Sequence, residues 1–210
     1  MQKADSILNQ GAAPATISMK WLKNARLYSE ELGIDLKKAD DGEYFKWFLA
    51  SLLFGGHISE TIASKTYRAF ERYELLTPHK ILKAGWSFLV HPIMSEGGYV
   101  RYDGKKSTQI LRGCETLIET YGGSMKALHD RSVGPSDLED KLMAFYGVGQ
   151  VTANIFLREL RPYWRFADPE PLSIVRSLAR KFDMDLDSLN RKTLTFARIE
   201  AGLIRLRRIK

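Results

Sequence analysis

Apolar residues recur at helical spacing along almost the whole chain, and the alternating runs that mark strands are scarce. Residues 44–54 are nearly all apolar and predict a buried helix ended by Gly55-Gly56. Residues 59–72 set Ile62, Thr66, Ala69 and Phe70 on one face. Asp103-Gly104 marks a turn, and Ser107 is placed to cap the helix that follows. That helix carries the stripe Ile110, Leu111, Cys114, Leu117, Ile118 and Tyr121, and Gly122-Gly123 stops it. Ser136 and Glu139 have capping-box spacing at the head of a helix through Leu142. The next helix spans about 150 to 160, with Pro162 just beyond it. Pro171 suits the first position of another helix that turns Ile174, Leu178 and Phe182 inward. A last helix, about 190–207, buries Phe196, Ile199, Leu203 and Leu206 and runs into the basic tail Arg205, Arg207, Arg208 and Lys210. The expected fold class is all-α.

Between the helices ending near Leu142 and starting near Gln150 lies Phe145-Tyr-Gly-Val-Gly149. Glycine adopts positive φ without cost and keeps no side chain between its backbone and a ligand. The next helix begins at once, so its free N–H groups point out of the turn and form a nest for an anion, as a nucleic-acid phosphate would supply. The residues expected at the backbone contact are Gly147, Val148, Gly149, Gln150, Val151 and Thr152.

Charge and composition narrow the partner. The net charge of +7 over 210 residues and a pI near 9.4 favour a polyanion. One cysteine excludes an internal disulfide framework. His57, His79, His91 and His129 lie too far apart for metal-ligand spacing, so no metal site is expected. No apolar run reaches the roughly 18 residues of a membrane span, and the N-terminus opens no signal-peptide pattern. The expectation is a cytoplasmic, nucleoid-associated protein.

The pattern Gly147-Val-Gly-x-x-Thr-Ala-Asn154, with an acid downstream at Asp168, resembles the helix-hairpin-helix DNA glycosylases, the superfamily of endonuclease III and alkyladenine glycosylase. The segment Phe48 to Ser59 is similar to that family's first conserved helix and the loop after it, and the likeness extends over roughly residues 44–182. It implies a single module with a substrate cleft between two helical lobes: one over about 56–160, with its hairpin at 137–160, and one made of about 1–55 plus 161–210. It implies a monomer on double-stranded DNA that swings a damaged or mismatched base out of the stack. An aspartate at the mouth then helps hydrolyse the N-glycosidic bond by stabilising positive charge at C1′ and orienting water.

Registration of that aspartate has two solutions. Counting forward from the hairpin reaches 168–170; counting backward from Arg176, which resembles the family's helix arginine, reaches Pro171. A short insertion reconciles them with Asp168 as the acid and Glu170 as the alternative. Bifunctional members carry a nucleophilic lysine where this chain has Val151, so the resemblance implies a monofunctional enzyme. Lys141 is the candidate for a relocated lysine. No cysteines stand at the C-terminal positions of the family's iron–sulfur loop, which implies a cluster-free protein without cofactors. A non-catalytic DNA-binding module is the alternative from another class.

For the lesion itself, His57 in Gly55-Gly56-His57-Ile58 is the candidate to fill the gap left by the base. Tyr99, Arg101, Tyr102, Lys105 and Lys106 interleave aromatic and basic groups in one glycine-rich loop, residues 97–106, suited to strand contact. Tyr44, Trp47 and Trp164 are the candidate walls of a base pocket.

Overall fold

The computed structural model describes residues 8–9, 16–56 and 58–207. His57, Arg208 and Lys210, singled out above, lie outside the described residues. The described chain is all-α apart from a short antiparallel ladder pairing β1 (Leu8–Asn9) with β2 (Thr16–Ile17). No helix among the described residues is long and apolar enough to cross a membrane.

The larger hydrophobic cluster is built around α3 (Asp41–Phe54), whose start is fixed by Asp40 accepting from the Gly42 and Glu43 amides. Against it pack α4 (Glu60–Arg72), α7 (Asp103–Tyr121), α8 (Met125–Asp130), α9 (Pro135–Met143) and α10 (Gln150–Leu160). Phe48 sits edge-on to both Phe145 and Phe156 at its centre. The smaller cluster is Leu22 of α1 (Met19–Lys23), Val175 and Leu178 of α11 (Ser173–Lys181), and Phe196, Ile199 and Leu203 of α12 (Leu194–Leu206). α3 thus belongs to the larger cluster.

Two buried carboxylates tie the parts together. Glu159, fully buried on α10, accepts from the amides of Tyr28 and Ser29, each at 3.0 Å, and so holds the start of α2 (Tyr28–Glu31). Burial raises its pKa, partly opposed by neighbouring Arg158. Glu200 of α12 pairs with Arg161 just beyond α10, both side chains wholly buried. Arg161 also donates to the Pro169 carbonyl at 2.6 Å, which fixes the path of the chain between α10 and α11.

Several local expectations are corrected. The α7 helix starts at Asp103, not at a Ser107 cap; Tyr102 precedes it with φ 66° and Ser107 is buried. Gly134 and Pro135 begin α9 and Ser136 does not cap it; the Asp137 carboxylate instead accepts from the Val133 amide at 2.8 Å. Pro171 precedes α11 rather than opening it, and Ile174 faces outward while Val175 turns in.

Candidate nucleic-acid interface and cleft

The turn between α9 and α10 is anchored from inside. Val148 is buried, and its amide donates to the Phe145 carbonyl at 3.0 Å. Gly147 has φ 74°, and a Cβ there would meet Gln109 at 3.0 Å. The Gln109 side chain donates to the Gly147 carbonyl at 2.7 Å. Lys106 in turn donates to Gln109 Oε1 at 2.5 Å and to the Leu52 carbonyl of α3 at 2.7 Å. Burial, with help from the Lys105 charge, lowers the Lys106 amine to about 8.

Gly149 plays a different part from Gly147. Its backbone is extended, as any residue allows, and a Cβ there would meet nothing within 4 Å. It precedes α10 without any side-chain cap, and no acidic residue lies in that helix's first turn. Gly149, Gln150 and Val151 are exposed while Thr152 is buried. The surface here is bare backbone at a positive helix end. On the flank, Arg112 lies over the exposed Tyr146 ring at 4.4 Å.

A cleft of about 660 Å³ opens beside this turn. Its lining joins Gly147 and Gly149–Thr152 to Gly55 and Gly56 at the end of α3, and to Leu172, Ser173 and Ile174 at the start of α11. Gly55 lies so close to Thr152 that a Cβ would come within 2.1 Å of its hydroxyl. The far end carries Tyr28, Glu60, Arg158 and Arg207. Glu60 opens α4 behind the Ser59 cap, is partly exposed, and lies 3.3 Å from Arg207. The guanidinium groups of Arg158 and Arg205 lie over the Tyr28 ring at 5.2 and 4.4 Å. Burial pushes the Tyr28 phenol up to about 12, with Arg158 opposing and Glu60 adding to the rise.

The acids favoured from sequence sit elsewhere. Asp168 lines a separate depression with Asp187, Asn190, Arg191 and Lys192. Its carboxylate accepts from Arg191 at 3.1 Å, and its other oxygen stands 3.6 Å from Arg161 Nε. Glu170 is mostly exposed and paired with Arg191 and with Arg176, the latter at 2.7 Å. Hydrogen bonds from Arg191 and Arg176 hold its carboxyl below the usual range. Neither acid lines the cleft, whereas residues 172–174, just past the backward-counted Pro171, do.

Other expected contacts are also relocated. Tyr44, Trp47 and Trp164 are core: Tyr44 packs edge-on to Trp164, and Trp47 donates its indole N–H to the Phe156 carbonyl at 3.0 Å. None of the three lines the cleft. Tyr99 is buried under Gly56, and Lys106 is committed to the bonds above. Of the same group, Arg101, Tyr102 and Lys105 are exposed, Lys105 on α7 rather than in a loop. Val151 is half exposed and lines the cleft. Lys141 is paired with Asp137 on its own helix. Glu60 and Arg158 escaped the sequence reading, because their shared position depends on α4, α10 and α12 meeting. Among the described residues no cluster of His, Cys, Asp and Glu is arranged to hold a metal ion. Comparisons with family models, curated proteins and solved structures find no match to the chain.

Proposed function

We propose that the chain is a DNA repair glycosylase of the helix-hairpin-helix type. It grips duplex DNA through the turn between α9 and α10, receives a damaged or mismatched base in the adjoining cleft, and hydrolyses its N-glycosidic bond to leave an abasic site. The observation that carries this reading is shared lining: the bare-backbone turn suited to phosphate is itself one wall of the cleft. At about 660 Å³ the cleft falls within the ~300–1,000 Å³ range of small-molecule sites. In this reading the two hydrophobic clusters are the two lobes, since α3 and α10 supply one side of the cleft and Leu172, Ile204 and Arg207 the other. Val151 in place of a lysine supports a monofunctional hydrolase, acting as a monomer and needing only water and protein groups.

A single-turnover excision assay tests it, on a panel of duplexes each carrying one damaged or mismatched base and read with and without hot alkali. Strand breaks appearing only after alkali are expected. Breaks without alkali would assign a lyase lysine elsewhere. The second reading, a DNA-binding module without catalysis, is favoured by the ion pairs that hold Asp168 and Glu170 outside the cleft; tight duplex binding with no excision on any member of the panel would establish it.

A further inference from the structure

Resting on that glycosylase reading, we infer that Glu60 is the catalytic carboxylate of the cleft. Among the described residues lining the cleft, it is the only Asp or Glu. It stands on the first turn of α4, a 13-residue helix, beside the positive end of the backbone. Arg207, just past the end of α12, pairs with it at 3.3 Å. Tyr28 stands beside it as a neutral phenol. These partners orient the carboxylate without burying it, for its side chain keeps 21% of its exposure. Asp168, similarly exposed at 23%, pairs with Arg161 and Arg191 in a depression that shares no lining residue with the cleft.

The step follows from this placement. As the C1′–N bond breaks, its electron pair leaves with the base, which takes a proton from solvent. Positive charge at C1′ is stabilised by the Glu60 carboxylate. A water held by that carboxylate forms the new C1′–O bond and passes its proton to Glu60, which later returns it to solvent. Arg158 and Arg207 add cationic donors at the same end of the cleft, where a departing base gathers negative charge.

The test compares wild type with Glu60→Gln, Glu60→Asp and Asp168→Asn on the duplex that wild type cleaves best. Each protein's duplex affinity and unfolding midpoint are measured alongside. Glu60→Gln is expected to lower the single-turnover rate by about 100-fold or more with affinity retained. Glu60→Asp, which keeps the charge but withdraws it by one methylene, should retain intermediate activity, and it carries the test if the Gln variant folds poorly. Asp168→Asn should stay within about twofold of wild type. Full activity in Glu60→Gln, or loss confined to Asp168→Asn, would overturn the assignment and leave the glycosylase reading standing. Absence of excision by wild type on every duplex would remove both.

Discussion

The cleft beside Gly147–Gly149 and the ion-paired knot around Asp168 lie close along the chain, yet they are built on opposite principles. In the knot, opposite charges meet: Arg161 with Glu200, Arg191 with Asp168 and Glu170, Arg176 with Glu170 and Asp187. In the cleft, backbone is left bare at Gly149, and Glu60 and Arg158 are gathered beside open space. Both carboxylates, Asp168 and Glu60, are ion-paired, but Glu60 with Arg207 stands on a wall shared with the bare-backbone turn and Asp168 does not. Closeness in sequence to an anion-binding turn therefore says less about chemistry than the space a side chain faces.

The comparison breaks hardest at the centre of the knot. Glu200→Ala leaves the Arg161 guanidinium buried without its carboxylate, and stranding one member of a buried pair costs about 3–5 kcal/mol. Chemical denaturation should show that loss. A change below about 1 kcal/mol would mean that the Pro169 carbonyl and Asp168 suffice to hold Arg161.

A perturbation of the cleft should leave stability alone and change binding. Gly149→Glu has room for its side chain and places a carboxylate where a phosphate is expected. Duplex affinity should drop on the order of 10-fold, about 1.4 kcal/mol, at moderate salt with the unfolding midpoint unchanged. Equal affinity would detach the turn from DNA.

Much of this architecture was legible in the chain, and the failures have local causes. The bounds of α10 and the burial of Phe196, Ile199 and Leu203 follow from periodicity alone. Asp103-Gly104 reads as a turn because the Asp103 carboxylate accepts from the Gly104 amide, yet Asp103 is the first residue of α7. The Ser136 box lost to Gly134-Pro135, which begins the helix two residues earlier and leaves Asp137 to take the free amide. Trp47 and Trp164 carry the composition of a base pocket, but tertiary packing spends both on the core. A count of residues from the hairpin points to Asp168, but a count cannot foresee that Arg191, 23 positions later, captures it. Glu60 carries the signal of an acid behind a serine cap and no more; its neighbours arrive from α2, α10 and α12.

Lys106 belongs to neither region and sharpens the contrast, because it is a buried charge that braces the open turn. Its folded pKa, about 8, lies below that of an unfolded lysine. Between these two values the unfolded chain still holds a proton that the folded chain has released, so stability rises with pH across that window. Wild type should gain on Lys106→Met by roughly 1 kcal/mol per pH unit there. Parallel denaturation series between pH 8 and 10 would show it, and parallel curves for the two proteins would mean that the amine is solvated in solution.

The smallest effect is expected where the sequence placed the most weight. In Asp168→Asn the amide keeps an oxygen toward Arg191, and Glu170 still holds that arginine. Arg161 keeps Glu200 and the Pro169 carbonyl. What disappears is the ion pair with Arg191, between side chains 28% and 23% exposed, and the longer one with buried Arg161 at 3.6 Å; a partly exposed pair such as the first contributes up to about 1 kcal/mol, less as salt screens it. A destabilisation within that limit, shrinking between low and high salt and unaccompanied by any change in excision, would mark Asp168 as a strut of the knot. A variant equally stable but inactive would reverse the comparison: the carboxylate of the knot would be doing the chemistry, and the one at the cleft would be the bystander.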